Sequence, residues 1–395
     1  MFLENLIFLA HVVLLMVLSP ILSRIFRIPT SVVEILLGSL AVWVGFLHVD
    51  NEVFRNLSKI GFFYLMFLAG MEIDIQRFLH YKDRYLKKTL LYFFCLYSLS
   101  LILFFIFDLS YVYIAAIPIM SLGMVMALIN QYGKEVQWLE FSLLIGVVGE
   151  LLSIVALVVF DGAITHGLGW HFTKNILMLI MVLFSSYFLY RLLKIIFWWY
   201  PNLKRIIMPN NDAMHQSLRF SMALFFILIA TMQWLEIDMV LGAFIAGIFI
   251  SNFFAHKREL PHQLSTFGFG FLVPLFFIFV GTTLDLNLVF TKTIMSHALW
   301  IVFAMVGIRM ISSFVAYYTS LKLKDTIFFS LSTSMPLTFL VAIATIAVKN
   351  GAIGNEEYAS FIVASLMEGI VIMILIQVLI SFFKRFDGKN KEKYN

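Results

Sequence analysis

Long apolar runs recur along almost the whole chain, and they constrain its fold more than any other feature. A helix needs about 20 mostly apolar residues to cross the hydrocarbon core of a bilayer. Thirteen segments approach that length, and each is continuous and rich in Leu, Ile and Phe, without the alternation of a barrel strand. These segments are 6–23, 31–46, 57–71, 89–107, 111–129, 138–160, 172–190, 220–235, 239–254, 267–284, 294–318, 326–348 and 358–383. The sequence therefore predicts an all-α polytopic membrane protein with 13 transmembrane helices.

Composition excludes the main alternative classes. Apolar residues make up 62% of the chain and charged residues 13%, whereas a soluble domain has roughly 45–50% and about 25%. This composition excludes a soluble enzyme. A nucleic-acid binder is also excluded, because the net charge of +5 comes from cations in short loops between apolar runs. The single cysteine, Cys95, permits neither an intrachain disulfide nor a Cys-ligated metal site. We find no catalytic or cofactor-binding motif, so we expect neither an enzyme nor a bound cofactor.

The distribution of Lys and Arg predicts the orientation of the chain. If the C-terminus is cytoplasmic, 22 of the 28 basic residues fall in cytoplasmic loops and 5 in outer loops. The positive-inside rule favours this arrangement, which places the N-terminus outside. The remaining basic residue, Arg309, lies in the middle of the eleventh span.

Matched positions in the two halves indicate an inverted repeat. Two pairs are 211 residues apart and two are 218 apart: Gly70 and Gly281, Asp74 and Asp285, Pro118 and Pro336, Glu150 and Glu368. The matched spans are seven apart, an odd number, so the second copy is inverted in the membrane. Inverted repeats are typical of secondary transporters, whose binding site lies at the repeat interface near the midplane.

This repeat predicts the domain organisation. The transmembrane domain covers 1–383, with repeats over about 31–162 and 238–383 joined by a linking loop over about 191–219. A short basic cytoplasmic tail follows at 384–395.

Prolines interrupt two corresponding spans, the fifth and the twelfth. The fifth carries Pro118 followed by Ser121 and Gly123, and the twelfth carries Pro336 preceded by Ser334. A proline within a span frees a backbone carbonyl, and nearby hydroxyls can satisfy loose backbone groups. Two interrupted spans at corresponding positions point to a transporter binding site.

Three charged or acidic residues lie near the middle of predicted spans, where charge is costly. Glu150 is near the middle of the sixth span beside Gly149, and it can exchange a proton for a cation because burial and an arriving cation favour opposite charge states. Arg309 either offsets this negative site, locks one conformation, or caps carbonyls freed by the broken helices. Glu368 is either a second proton site or the partner of Arg309.

Four motifs carry a resemblance to a known family. They resemble, in order, motifs of the monovalent cation:proton antiporter superfamily, and the chain looks most like bacterial sodium/proton exchanger-domain proteins related to potassium-efflux antiporters. The motifs are Pro29–Gly38, Phe67–Asp74, Leu241–Asn252 and Pro274–Asp285.

The resemblance implies a homodimer in the bacterial inner (plasma) membrane, with a mobile core that contains two crossing broken helices. Glu150 takes the position of the carboxylate that binds ion and proton in turn. Arg309 takes that of the basic residue in the eleventh span, and Ser121 falls in the polar stretch of the first broken helix. The chain departs from the family because a Glu replaces the usual Asp and Gly149 replaces the first acid of the pair. The nucleotide-binding domain of the potassium-efflux members is not expected, because the chain stops at Asn395.

We therefore expect a secondary transporter that exchanges Na⁺ or K⁺ for protons by alternating access. Glu150 is the expected site of the transported cation. A single exchanging carboxylate predicts electroneutral transport. Two alternatives remain open at this point: a transporter of the same fold that carries an organic anion at Arg309, and a non-transporting sensor-like subunit.

Overall fold

Every regular element in the described part of the chain is helical. The computed structural model describes residues 2–26, 28–47, 51–71, 83–121, 124–125, 128–129, 132–133, 136–166, 188, 191–192, 195–196, 198–200, 215–235, 239–253, 259–284, 286–289 and 291–392. The helices of the first half are α1 (Phe2–Phe26), α2 (Thr30–Trp43), α3 (Glu52–Met71), α4 (Asp83–Phe107), α5 (Tyr111–Ala116) and α6 (Gln137–His166). Those of the second half are α7 (Gln216–Trp234), α8 (Met239–Phe253), α9 (Glu259–Phe267), α10 (Val273–Thr282), α11 (Leu286–Val289), α12 (Lys292–Tyr317), α13 (Leu323–Thr333), α14 (Leu337–Lys349), α15 (Asn355–Met367) and α16 (Met373–Glu392).

The described residues place helix in each predicted span, although in the seventh, 172–190, only residue 188 is described. Within the described residues, seven helical segments are long and apolar enough to cross a membrane, and α2 and α8 are shorter apolar helices. The prediction of an all-helical membrane protein is confirmed. The count of thirteen stays a prediction.

Two compact units make up the chain. Unit 1 comprises Met1–Leu18, Glu34–Tyr81 and Leu157–Thr283, and unit 2 comprises Ser19–Val33, Lys82–Ala156 and Leu284–Asn395. Each unit therefore draws on both halves of the sequence.

Glycines allow the helices of unit 1 to cross at backbone contact. A Cβ atom at Gly70 of α3 would overlap the carbonyl oxygen of Phe244 in α8, and one at Gly247 of α8 would overlap that of Phe67 in α3. Small residues of this kind let helices approach closely in a membrane.

A second crossing in unit 1 has the same construction. A Cβ at Gly38 of α2 would overlap the carbonyl oxygen of Ile278 in α10, and would lie 3.1 Å from the Cα of Gly281. Gly38 and Gly247 are 209 residues apart, and Gly70 and Gly281 are 211 apart. The α2–α10 crossing thus corresponds to the α8–α3 crossing under nearly the same offset, which supports the inverted repeat.

Unit 2 is built around α12, which packs against α4, α13 and α15. Buried aromatic rings join these helices: the ring of Tyr317 in α12 lies 5.6 Å from that of Tyr92 in α4 and 5.3 Å from that of Phe329 in α13. Phe141 of α6 contacts Tyr317 at 5.0 Å. This aromatic packing holds four helices of unit 2 around the site described next.

Candidate functional site

The fifth and twelfth predicted spans are both interrupted at their prolines. Helix α5 ends at Ala116, Ile117 and Pro118 form a turn, and Ile119–Ser121 have no regular structure; we call 117–121 the first break. Helix α13 ends at Thr333, and α14 starts at Leu337 directly after Pro336; we call 334–336 the second break. Each break exposes backbone groups that an intact helix would satisfy, so their partners must come from elsewhere.

Arg309 supplies donors to both breaks. It is fully buried in α12. Its Nη1 donates to the carbonyl of Ile117 (2.9 Å) and to that of Met305 (3.0 Å), its Nη2 to the carbonyl of Ile119, and its Nε to the carbonyl of Thr333 (3.0 Å). The planar fork of the guanidinium suits several acceptors at once. Of the roles considered for Arg309, the structure therefore shows the capping of carbonyls freed by the broken helices.

Hydroxyl pairs link the same elements. The Oγ of Ser121, at the end of the first break, lies 2.8 Å from the Oγ1 of Thr338, which follows the second break. The Oγ of Ser142 in α6 lies 2.7 Å from the Oγ of Ser332 in α13. The two breaks are thus adjacent, and side-chain hydroxyl groups lie around their contact.

Helix α6 contacts the first break through Gly149 and Ser153. The amide of Met120 donates to the Oγ of Ser153 (2.8 Å), and this hydroxyl in turn donates to the carbonyl of Gly149 (2.7 Å). A Cβ at Gly149 would overlap the side chain of Met120. The position where relatives are expected to carry a first acid is therefore occupied by Met120, and no larger residue fits at 149 without its displacement.

Glu150 lies between these two contact residues. Its side chain is only 2% exposed. Because Gly149 and Ser153 both contact Met120, Glu150 lies on the turn of α6 that is level with the first break. Carboxylate, carbonyl and hydroxyl oxygens are the ligands that a hard cation takes in proteins.

Glu368 occupies the corresponding place in the last span. It is fully buried and begins a π-helical turn, Glu368–Ile372, that joins α15 to α16. A second π turn, Gly268–Leu272, joins α9 to α10 in unit 1. Helix α6 begins at Gln137 and α15 at Asn355, 218 residues apart, which is the offset between Glu150 and Glu368.

The alternative that Glu368 pairs with Arg309 is not what the structure shows. Neither carboxyl oxygen of Glu368 has a hydrogen-bond partner among the described residues, and the bonds of Arg309 go to backbone carbonyls. Carbonyl oxygens freed by the breaks provide enough acceptors for the guanidinium, so it needs no carboxylate.

Four other predicted residues remain. Ser334 is buried in the second break, and its hydroxyl donates to the carbonyl of Ser330 in α13. Gly123, Asp74 and Asp285 lie outside the described residues. Sequence reasoning assigned no role to Ser153 or Thr338, because a single hydroxyl in an apolar span gives no indication of which distant backbone or hydroxyl group it meets.

Among the described residues, no cluster of three or more His, Cys, Asp or Glu side chains is arranged to hold a metal ion. A resident metal centre of that kind is therefore not part of the described site. A transported cation would rely on Glu150 together with hydroxyl and carbonyl oxygens.

Two interrupted helices that meet level with a buried carboxylate, within a chain of membrane-length helices, are an arrangement typical of secondary transporters. The sodium/hydrogen exchanger transmembrane family matches residues 13–381. The chain belongs to this family, and hence to the monovalent cation:proton antiporter superfamily.

Individual relatives agree with this assignment. The chain is 28% identical to the putative Na⁺/H⁺ antiporter YjbQ of Bacillus subtilis over 98% of its own length, and 24% identical to the probable Na⁺/H⁺ antiporter 3 of Methanocaldococcus jannaschii over 91%. It spans 64% of the Bacillus protein and 92% of the Methanocaldococcus protein.

A solved structure shares the fold. The sodium proton antiporter MjNhaP1 from Methanocaldococcus jannaschii, determined at pH 8, superposes with a TM-score of 0.68 at 15% identity. The match covers 95% of this chain and 100% of that chain. At this identity the match shows the antiporter fold.

Proposed function

We propose that the protein exchanges a monovalent cation, Na⁺ or K⁺, for protons across the membrane by alternating access, and that Glu150 binds the cation and the proton in turn. Family membership and the shared antiporter fold support the reaction class. The observation that carries the proposal is the buried carboxylate of Glu150, level with the first break, where that break meets α6.

The chemistry follows from the burial of Glu150. Removal from water penalises the carboxylate, so without a cation the group takes up a proton. A monovalent cation coordinated by the carboxylate and by neighbouring oxygens restores the charged form and releases that proton. Proton and cation therefore compete for one site, and each is carried when the other is absent.

Two alternatives use the same residues differently. A transporter of an organic anion needs cationic donors free to bind its substrate, but Arg309 is fully buried and directs four hydrogen bonds at protein carbonyls. That arrangement favours a cation over an organic anion as the transported substrate. A non-transporting sensor-like subunit is the remaining alternative, because Gly149 replaces the first acid that the family resemblance implies.

We further propose that the protein is a homodimer in the bacterial plasma membrane, with the N-terminus outside and the C-terminus in the cytoplasm. Two hydrogen bonds of unit 2 agree with the predicted grouping of helix ends on the two sides, and the orientation itself rests on the distribution of Lys and Arg. Lys88 donates to Thr319 (2.8 Å), and both lie at predicted cytoplasmic ends of helices. Ser110 donates to Glu357 (3.0 Å), and both lie at predicted outer ends.

Reconstitution into proteoliposomes tests the exchange directly. With an imposed pH gradient, addition of Na⁺, K⁺ or Li⁺ in turn should dissipate the gradient for at least one cation. Glu150→Gln should abolish this dissipation, because the amide keeps the volume but can neither ionise nor bind a proton. Glu150→Asp should keep some exchange with an altered cation affinity, because the charge survives on a shorter side chain.

The matched control is Glu140→Gln, which removes an exposed carboxylate from the same helix and should leave exchange unchanged. Coupled flux in a folded Glu150→Gln variant would refute the role of Glu150. A silent wild-type protein with all three cations would refute cation exchange and favour the sensor-like alternative.

A further inference from the structure

Glu368 is a buried carboxyl group that cation exchange at Glu150 leaves unused. Its side chain has no solvent exposure, and neither carboxyl oxygen has a hydrogen-bond partner among the described residues. A buried carboxylate without partners costs several kcal/mol, so the group is held as the neutral acid in this conformation. It begins the π turn Glu368–Ile372, a type of irregularity that occurs frequently at functional sites.

This π turn lies against the second break. A Cβ at Gly369, the residue after Glu368, would lie 3.3 Å from the Cδ1 of Leu337, the first residue of α14. Ile372 at the end of the turn shares a buried cluster with Met335 of the second break. The π turn that begins at Glu368 is therefore next to the helix interruption that Arg309 caps through the carbonyl of Thr333.

Arg309 is the charged group that acts electrostatically on Glu368. The other described titratable residues on the unit 2 helices packed against α15 and the π turn lie towards the ends of those helices, apart from Glu150 near the middle of α6. They are Glu140 and Glu150 on α6, Lys292, His297 and Tyr317 on α12, Lys324 and Asp325 on α13, Lys349 on α14, Glu356, Glu357 and Tyr358 on α15, and Lys384, Arg385, Asp387, Lys389, Lys391 and Glu392 on α16.

We propose that Glu368 is a proton-binding site that determines which groups Arg309 contacts. With the proton bound, Glu368 is neutral, and the guanidinium remains on the carbonyls of both breaks. When the proton leaves to water, the carboxylate competes with those carbonyls for the guanidinium, because it carries a full negative charge and can accept two parallel N–H bonds, whereas a carbonyl oxygen carries only a partial charge. The carbonyls of Ile117, Ile119 and Thr333 then lose donors, and the contact between the breaks is disturbed.

This inference rests on the proposed function, because the site that loses its geometry is the one assigned to cation exchange. Loss of the proton from Glu368 should therefore switch off exchange at alkaline pH. Glu368→Gln mimics the neutral acid and cannot compete for Arg309. We expect this variant to keep at least half of its maximal exchange rate at an alkaline pH where the wild type retains less than a tenth.

Stability provides a readout that does not require transport. The unfolded chain releases the proton of Glu368 above about pH 4–5, whereas the folded protein keeps it. The folded state thus binds more protons, so its stability falls as pH rises. Relative to Glu368→Gln, the unfolding equilibrium constant of the wild type should increase by up to tenfold per pH unit, until the folded protein also releases the proton.

The experiment compares the wild type with Glu368→Gln and with Glu356→Gln, which removes an exposed carboxylate from the start of α15. Exchange and equilibrium unfolding are measured across pH, and the infrared C=O stretch of a protonated carboxylic acid is measured at neutral pH. We expect Glu356→Gln to follow the wild type in all three, and Glu368→Gln to lose the infrared band. If Glu368→Gln does not fold, Glu368→Met replaces it as a second neutral variant.

Superimposable pH profiles of the wild type and the neutral variant would overturn the inference, as would an infrared spectrum without the band of Glu368. A wild-type protein without any exchange activity would refute the proposed function instead. In that case the infrared and unfolding measurements still decide whether Glu368 holds a proton.

Discussion

Arg309 shows how one buried side chain can define a site through backbone groups alone. A guanidinium stays charged in a protein, so it must have partners when it is removed from water. Here those partners are four carbonyl oxygens, two from the first break, one from α13 and one from its own helix. The carbonyl oxygens of the breaks thus supply acceptors for the guanidinium, and the guanidinium supplies donors for those carbonyls.

A stability comparison at mildly acidic pH tests this arrangement. Arg309→Met should lower the free energy of unfolding by at least about 3 kcal/mol, because the carbonyls of Ile117, Ile119 and Thr333 each lose a buried donor. Arg309→Lys should lose less, because the ammonium keeps the charge and three donors. Glu368→Gln should change stability by less than about 1 kcal/mol, because it replaces one neutral group by another.

The double variant distinguishes carbonyl capping from an ion pair. Equilibrium unfolding of Arg309→Met/Glu368→Gln should show the sum of the two single effects. If the two residues formed a buried ion pair, the double variant would instead be more stable than Arg309→Met, because no charge would remain alone.

At the scale of helices, the motifs that carry the family resemblance are mainly motifs of helix crossing. Each of the four contains a glycine at which a Cβ would overlap a neighbouring backbone: Gly38, Gly70, Gly247 and Gly281. All four belong to unit 1. The residues assigned to the site, Glu150, Arg309 and Glu368, belong to unit 2. The motifs of the family resemblance therefore supply the helix crossings of unit 1, and the residues proposed for exchange belong to the other unit.

Substitution at a crossing should be costly for this reason. Gly247→Ala should lower the free energy of unfolding by about 1–3 kcal/mol, because its Cβ would meet the backbone of α3, which cannot move as a side chain can. Thermal unfolding in detergent measures the effect. The control is Gly307→Ala in α12, where a Cβ meets nothing within 4 Å and alanine should be neutral or stabilising by about 0.5–1 kcal/mol. Equal shifts in the two variants would contradict the role of the crossing.

At the scale of the whole molecule, orientation follows from the placement of Lys and Arg. Lys322 and Glu356 are both exposed. Lys322 directly precedes α13, and Glu356 follows α14, so the twelfth predicted span separates them and places them on opposite sides of the membrane. In a Cys95→Ala background, a membrane-impermeant thiol reagent should label Glu356→Cys in intact cells and Lys322→Cys only after permeabilisation. The reverse pattern would show that the predicted orientation is inverted.

Coupling is also a property of the whole transport cycle. If Glu150 alone alternates between proton and cation, the same charge crosses in both directions, and the membrane potential does no work on the cycle. With Glu368 acting as a switch and not as a carrier, exchange should stay electroneutral. Proteoliposomes with the potential clamped by an ionophore should reach the same cation ratio at every voltage. A ratio that shifts with voltage would mean that a second proton is carried, and Glu368 would be the first candidate.

Several features were predictable from the sequence because they depend on local properties. The length of the apolar runs predicts the membrane helices. A proline removes a backbone donor and so predicts an interruption, and ionisable residues within apolar spans predict where charge is buried. Helix is accordingly present in the described parts of the predicted spans, α13 and α14 are separated at Pro336, and Glu150, Arg309 and Glu368 are all buried.

The partners of those residues were decided by the tertiary structure. Arg309 finds carbonyls about 190 residues away at Ile117 and Ile119, and Met120 fills the space beside Gly149. No local pattern encodes these contacts, because every residue has a carbonyl and only the fold determines which carbonyls are left free and brought together. The sequence by itself determined which groups would be buried in the membrane, and the tertiary structure decided what each of them would meet there.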